Sequence, residues 1–157
     1  MRRKDREVRD VDEMVRIIET CDSCVVALND EGFPYMVPLN FGMKREEGQI
    51  YLYFHCAAKG KKLDLIRKDN RASFEMDCGH RLILDEEGMN CTMGYASVLG
   101  HGTIETVPEE EKFDALTILM SQYHAEGFAF NTDMIKATTV LRLKVLDMTG
   151  KRRDDTR

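Results

Sequence analysis

The residues best suited to chemistry lie where an aromatic stretch gives way to a helical pattern. Residues 50–54 are aromatic or branched, which favours a strand, and His55 follows them. Three lysines then precede Leu63, where apolar residues take up helical spacing: Lys59, Lys61 and Lys62. Because the start of a helix is electropositive, lysines there are unfavourable unless an anion lies among them. The pattern favours a phosphate site, with Lys59, Lys62 and the amides near Gly60 as donors, over an ordinary solvated charge cluster.

Two histidines each have two interpretations. His55 is either a core histidine with satisfied hydrogen bonds or a contact to the ligand of the adjacent phosphate site. His101 lies between Gly100 and Gly102, and such paired glycines allow a β-bulge or a close approach of a ligand to the backbone. No Ser-His-Asp or Cys-His arrangement can be assembled from local spacing, so nucleophilic catalysis of that kind is not predicted.

The segment from Cys21 to Cys24 has the C-x-x-C spacing of redox pairs and zinc sites. It follows a predicted helix C-terminus, whose partial negative charge raises a thiol pKa, whereas redox pairs use a helix N-terminus. Zinc would need Cys78, His80 or Cys91, whose spacing matches no second ligand pair. Buried reduced thiols are the favoured interpretation, and zinc remains a minor alternative.

Composition restricts the class of protein and of ligand. The chain has 157 residues and a net charge of −5, which suits one domain and argues against an extended nucleic-acid surface. We expect a cytoplasmic protein, because no apolar run is long enough for a transmembrane helix or a signal peptide. No dinucleotide-binding glycine motif or Walker motif follows a strand, so a mononucleotide is the better ligand. Residues 37–41 are either an apolar wall for its planar ring or an ordinary core strand.

The remaining patterns predict the elements that position these residues. Asp10 caps a helix ending near Cys21, with Glu13 placed for a capping box. Further helices are expected at 60–68, from Pro108 through Tyr123, and at 132–136. Six antiparallel strands are expected, the first three as a meander: 23–29, 33–41, 50–54, 71–77, 94–106 and 138–148. Residues 78–93 form an irregular excursion or a small hairpin, and 1–9 and 150–157 are expected to be flexible tails. Six such strands favour a closed or split barrel, mainly β, with peripheral helices.

Taken together, several stretches resemble one protein family. They are residues 1–10, 35–41 (ending Val-Pro-Leu-Asn-Phe), 50–63 (with Tyr-Phe-His-Cys-Ala and Gly-Lys-Lys-Leu), 95–102 (Tyr-Ala-Ser-Val-Leu-Gly-His-Gly) and the closing Thr-Gly-Lys at 149–151. In this order and separation they resemble the pyridoxamine 5′-phosphate oxidase-like flavoproteins with a split β-barrel. The branch they resemble most is the one related to nitroimidazole-resistance proteins.

This resemblance implies a homodimer that binds FMN in a groove between the subunits. The isoalloxazine would be lined by Val37, Pro38, Leu39, Asn40 and Phe41. The phosphate end would be held by His55, Lys59 and Lys62, with Lys61 beside them, and Tyr95, Ser97 and Val98 of the same or the second subunit would complete the pocket. His55 matches a histidine implicated in the chemistry of the resistance proteins. Ala57 and Ala58 replace the Ser and Arg of the oxidases proper, which argues against pyridoxamine phosphate as the substrate.

The implied activity is reduction of a small molecule, such as a nitroaromatic, with electrons from a reduced nicotinamide. The flavin would do this chemistry, and no side chain need act as an acid or base. Two alternatives remain open: a flavin-binding carrier or sensor without turnover, and a related split barrel that holds heme or a deazaflavin.

Overall fold

The computed structural model of the chain describes residues 3–154 and contains one antiparallel sheet with helices around it. The strands in this range are β1 (Glu7–Val8), β2 (Cys24–Leu28), β3 (Tyr35–Leu39), β4 (Phe41–Glu46), β5 (Gln49–Ala57), β6 (Arg71–Asp85), β7 (Asn90–Thr106) and β8 (Thr138–Arg153). The α-helices are α1 (Val11–Thr20), α2 (Lys61–Lys68), α3 (Lys112–Ser121) and α4 (Thr132–Ala137). The sequence therefore predicted the helices to within a few residues.

The sheet must curl into a barrel because its two edge strands are consecutive in the chain. The strand order is β3-β2-β6-β7-β8-β5-β4, with β1 added against β8. Only Asn40 separates β3 from β4, and one residue spans about 3.5 Å, so the opposite edges of the sheet have to meet there. Among the described residues, no backbone pairing joins β3 to β4, so the barrel is split at this point. This confirms the predicted mainly β, antiparallel split barrel with peripheral helices.

The meander prediction and the strand count were wrong at this junction. Residues 33–41 contain the whole of β3 and the first residue of β4. In the described chain β4 pairs with β5, whereas β3 pairs only with β2. Period-two alternation continues through Val37, Leu39 and Phe41, so the pattern did not reveal the break. Together with the short β1, this division gives eight strands instead of six.

A hydrogen-bond cluster around the hydroxyl of Tyr123 fixes the junction. This hydroxyl accepts from the backbone N–H of Phe41 at 3.0 Å and donates to the carbonyl of Asp22 at 2.9 Å. The side-chain amide of Asn40 donates to the same carbonyl at 3.3 Å. Next to Tyr123, the amide of Gln122 donates to three carbonyls at the end of α1, those of Ile18, Glu19 and Cys21. The residues after α3 therefore tie the closing point of the barrel to α1.

Residues 78–93 extend β6 and β7 into a two-stranded arm, which confirms the hairpin alternative. The register shifts between Cys78 and Arg81, where Gly79 has a φ of +68°, and pairing then continues to Asp85 and Asn90. Leu82 and Met93 are paired across the arm and both are exposed.

Residues 7–8 and 150–153, within the segments expected as flexible tails, are more ordered than the sequence predicted. Glu7 pairs with Lys151 and Val8 with Gly150, so parts of the segments expected as flexible tails belong to the sheet. Glu13 of α1 does not complete a capping box but forms an ion pair with Arg152, while Asp10 caps α1 by accepting from the N–H of Asp12. The parts of the tail prediction at residues 1–2 and 155–157 lie outside the described residues.

The main core fills the barrel and is closed at one side by α1, whose Met14, Ile17 and Ile18 are buried in it. A second cluster lies outside the barrel wall, where α3 covers Tyr53 and Val140. Between residues 3 and 154, no helix has both the length and the apolar character needed to cross a membrane.

Candidate functional site

The start of α2 is open, as the predicted phosphate site requires. Gly60 precedes the helix with a φ of +148°, a conformation that side chains rarely adopt, and open space surrounds the position where a Cβ would lie. No side chain caps this end of the helix. The first-turn N–H groups are therefore not covered by a capping side chain, and an anion can approach them.

The three lysines near this helix start have different surroundings. The ammonium of Lys61 lies 2.6 Å from a carboxylate oxygen of Asp30 and 5.5 Å from the ring centroid of Tyr35. Lys59 is exposed, and Lys62 is half-buried beside Cys56, where its charge opposes the burial that raises the pKa of that thiol. Within residues 3–154, neither Lys59 nor Lys62 forms an ion pair, so both are free to bind an anion.

The predicted apolar wall is only partly accessible. Val37 and Leu39 of β3 are half-buried against the core, whereas Pro38 and Asn40 are exposed. The side chain of Phe41 is completely buried in the core, so only its backbone can contact a bound molecule. The accessible wall therefore consists of β3 and the junction residue Asn40.

His55 is exposed near the end of β5, and the core-histidine interpretation is therefore wrong. Alternation along β5 places it on the same face as Tyr53, opposite to the buried Phe54 and to Cys56. The structure shows no contact between His55 and Lys59 or Lys62. The approach of His55 to a shared ligand stays a prediction.

The other predicted pocket residues lie on β7. Tyr95 is half-buried, Ser97 is buried, and Val98 is completely buried in the core. As with Phe41, the side chain of Val98 is not available to a ligand. Within this part of the predicted pocket, the accessible group is the phenol of Tyr95.

A single chain does not bring Tyr95 close to His55. Both residues are paired to β8, but His55 faces Val140 and Tyr95 faces Arg153. From residue 140 to residue 153 a strand rises by roughly 40 Å along its curved path, at about 3.3 Å per residue. The predicted pocket residues thus form two groups at opposite ends of β8.

The paired glycines around His101 mark a bulge rather than a ligand site. The register between β7 and β8 shifts between His101 and Gly102, as one of the two interpretations predicted. A Cβ at Gly102 would lie 2.0 Å from the carbonyl oxygen of Lys144, so the space next to this residue is occupied by the neighbouring strand. His101 itself is exposed.

The thiols of the C-x-x-C segment are buried and free, which confirms their favoured interpretation. Burial raises the pKa of Cys21, and the neighbouring Cys78 raises it further. Burial likewise raises the pKa of Cys24 to about 12. Both thiols stay protonated near neutral pH and are poor nucleophiles. Among the described residues, no three His, Cys, Asp or Glu side chains are grouped to hold a metal ion.

Two polar sites were not predicted from the sequence. The first is a cavity of about 240 Å³ on the outer wall, where Arg142 pairs with Glu105 at 2.7 Å and Glu111 at 2.8 Å and lies over the ring of Tyr51. The second is a cleft beside Tyr95, built from the two segments expected as tails. The only sequence signal for the second is that both segments are rich in arginine.

Comparison with known proteins identifies the family. Residues 10–152 match the family model described as pyridoxamine 5′-phosphate oxidase. The chain belongs to this family. The match covers nearly the whole described chain, including α2, β3 and β7, and agrees with the resemblance seen in the sequence.

Solved structures with the same fold support this assignment. A candidate 5-nitroimidazole antibiotic resistance protein from Bacteroides thetaiotaomicron is 30% identical, with a TM-score of 0.81 over 92% of this chain and 85% of that one. The flavocytochrome Anf3 from Azotobacter vinelandii is 19% identical, with a TM-score of 0.79 over 98% and 72% of the two chains. An FAD and heme binding protein from Mycobacterium smegmatis is 20% identical, with a TM-score of 0.78 over 96% and 77%. The last two show likeness of fold alone. No protein with a curated description matches this chain.

Proposed function

We propose that this protein is a homodimeric FMN-dependent oxidoreductase that uses a reduced nicotinamide to reduce a small molecule, such as a nitroaromatic. The observation that carries the proposal is the open start of α2, with Gly60 in place of a capping side chain and with Lys59 and Lys62 unpaired among the described residues. Membership of the pyridoxamine 5′-phosphate oxidase family supports it. So does the 30% identity to the candidate nitroimidazole resistance protein.

The residues of this end of the barrel fit a phosphorylated mononucleotide. The amides of the first turn of α2 and the ammonium groups of Lys59 and Lys62 would hold the phosphate. Val37 and Leu39 would contact the apolar face of the ring, with the amide of Asn40 at its edge. When bound, FMN supplies the two-electron chemistry between nicotinamide and acceptor. His55 is exposed at this end of β5 and would contact the cofactor or the substrate.

The separation of the two groups of predicted pocket residues supports the proposal of a second subunit. If Tyr95 and His55 belong to one pocket, two chains have to supply them, because β8 holds them at its opposite ends. In a two-fold dimer, each of two equivalent pockets would combine the α2 end of one chain with the Tyr95 end of the other.

The phosphate contact is tested by comparing FMN with riboflavin. We expect Lys62→Ala to weaken FMN binding by about tenfold or more, since a charge-assisted hydrogen bond contributes about 1.5–3 kcal/mol, and to leave riboflavin binding unchanged. Lys61→Ala is the matched control, because Lys61 is already paired with Asp30. Fluorescence titration of the apoprotein measures all four affinities. Equal losses for both ligands would show that Lys62 does not touch the phosphate.

Turnover separates the enzyme from a flavin carrier or sensor. If the protein is an enzyme, NADH or NADPH should reduce its bound FMN faster than it reduces free FMN. Loss of the absorbance of oxidised flavin measures both rates. Reduction no faster than that of free FMN would favour the carrier. A purified protein that shows a heme spectrum, or that FMN fails to stabilise, would exclude the proposed cofactor.

A further inference from the structure

A polar cleft of about 370 Å³ lies where the N-terminal segment meets the end of β8. It exists because β1 pairs with β8 and brings two arginine-rich segments side by side. Four of its lining residues are arginines: Arg3, Arg6, Arg152 and Arg153. Its volume suits a small ligand or part of a larger one. Among the described residues, Val8 is the single apolar residue of its lining, which favours a polar ligand over a flavin ring.

Each carboxylate of the cleft already has an arginine close to it. Asp5 lies 2.6 Å from Arg3, Glu7 lies 2.7 Å from Arg9, and Glu13 pairs with Arg152, whose side chain also lies 3.8 Å from Asp154. Among residues 3–154, Arg153 and Lys151 have no carboxylate within 4 Å. The lining holds as many carboxylates as arginines, four of each, but Arg9 neutralises Glu7 from outside the lining, and Arg6 and Arg153 are left without a close carboxylate.

Arg6 is a largely buried cation of the cleft that lacks a close carboxylate. Its side chain is only 18% exposed, and the nearest carboxylate oxygen, that of Asp5, is 3.9 Å away, which is beyond hydrogen-bond distance. A guanidinium has five N–H donors in a planar fork that matches phosphate oxygens. Holding such a group half-buried with so weak a partner favours an anion in the cleft.

The cleft adjoins the phenol of Tyr95, the accessible group of the β7 end of the predicted pocket. The ammonium of Lys151 lies 5.3 Å from the ring centroid of Tyr95. Desolvation raises the pKa of this phenol, but hydrogen bonds from Lys151 and Arg6 outweigh it and lower the pKa overall. Arg153, which lines the cleft, is paired with Tyr95 between β8 and β7, so a ligand in the cleft would extend to the pocket.

We propose that this cleft binds the phosphate groups of the nicotinamide dinucleotide that donates electrons. The inference rests on the proposed function, because it assigns the second substrate of the same pocket. Phosphate is favoured over a single carboxylate because two guanidinium groups, those of Arg6 and Arg153, line the same polar cavity and can bind more oxygens than one carboxylate has. The phosphate of FMN is the other source of the same chemistry, and α2 already provides for it.

The test measures binding of NADP⁺, which cannot reduce the flavin, by calorimetry on the protein as purified. We expect Arg6→Gln and Arg153→Gln each to raise the Kd for NADP⁺ by about tenfold or more, since each removes charge-assisted hydrogen bonds. FMN affinity should be unchanged in both variants. Arg16→Gln is the matched control: it removes the same charge, but Arg16 is exposed on α1, lies outside the cleft lining and forms no ion pair within residues 3–154. Circular dichroism shows whether each variant is folded, and Arg153→Gln alone suffices if Arg6→Gln is not.

The inference is overturned if wild-type protein does not bind NADP⁺, or if the cleft variants bind it as well as Arg16→Gln does. It is also overturned if they lose FMN instead, because the cleft would then hold the phosphate of the flavin. Failure of the proposed function has a different signature: the wild-type protein would contain no FMN, or its bound FMN would be reduced by NADPH no faster than free FMN. The NADP⁺ titration can be made on such protein all the same.

Discussion

At the scale of single residues, Tyr123 holds together parts of the chain that are far apart in sequence. Its hydroxyl joins the N–H of Phe41, at the start of β4, to the carbonyl of Asp22, which precedes β2. No spacing in the sequence connects these residues, because Tyr123 is 82 positions from Phe41 and 101 positions from Asp22. The effect of the hydroxyl is nevertheless local and can be tested by removing one oxygen atom.

We expect Tyr123→Phe to lower the free energy of unfolding by about 1–3 kcal/mol, since it leaves the part-buried N–H of Phe41 without its side-chain acceptor. Tyr35→Phe is the control: within the described residues the Tyr35 hydroxyl has no hydrogen bond, so its loss should change stability by less than about 0.5 kcal/mol. Urea denaturation of the apoproteins measures both. Equal stability of the two variants would show that the Tyr123 hydroxyl does not hold the junction.

At the scale of elements, the packing of α3 against β4 sets the outer wall of the barrel. Gly42 lies under the helix so closely that a Cβ would be 2.4 Å from the Cα of Leu119 and 2.5 Å from the carbonyl oxygen of Ile118. These contacts are with backbone, which cannot turn aside as a side chain can. The glycine therefore allows the helix to rest directly on the strand and to cover Tyr53 and Val140.

Gly42→Ala should destabilise the protein by about 1–3 kcal/mol, because the added methyl group has to push α3 away from β4. Gly127→Ala is the matched control: nothing lies within 4 Å of its added Cβ, and it should be neutral or stabilising by up to about 1 kcal/mol. Urea midpoints of the two variants provide the comparison. If Gly42→Ala proved as stable as Gly127→Ala, the tight approach of helix and strand would be refuted.

At the scale of the whole molecule, a pocket that contains both groups of predicted residues would require the proposed dimer. The α2 end holds Lys59, Lys62 and His55, and the other end of β8 holds Tyr95 and the arginine cleft. In the proposed dimer, each pocket takes one group from each chain. Two chains with different defects could therefore form one intact pocket, which a monomeric site could not do.

We expect two defective chains to complement each other when they are co-expressed. Lys62→Ala and Tyr95→Ala homodimers should each bind FMN weakly, but a mixed dimer has one pocket with both groups intact. Among mixed dimers, about half of the sites should therefore recover wild-type affinity. Co-purification through two different tags, followed by FMN titration, measures this recovery. A monomeric mass by light scattering, or no recovery in the mixed dimer, would contradict the shared pocket.

The sequence by itself determined the features that depend on near neighbours in the chain. Period-two and helical spacing predicted most strands and all four α-helices, because those periods follow from backbone geometry alone. The start of α2 was predicted in the same way, since a glycine and lysines before an apolar helical face identify it without any distant contact. The family resemblance was also available from the order of short stretches along the chain.

Only the tertiary structure decided which residues meet. The break at Asn40 was hidden because alternation continues across it, and the sheet closes there through contacts with Asp22 and Tyr123. The arginine-rich segments expected as tails become a cleft because β1 pairs with β8, a pairing between residues about 140 positions apart. Phe41 and Val98 belong to matching stretches but lie in the core, since burial depends on which face of the curled sheet is inside. The lysines at α2 could be assigned to a phosphate from local chemistry, whereas the separation of Tyr95 from His55 could be seen only once β8 had been paired along its length.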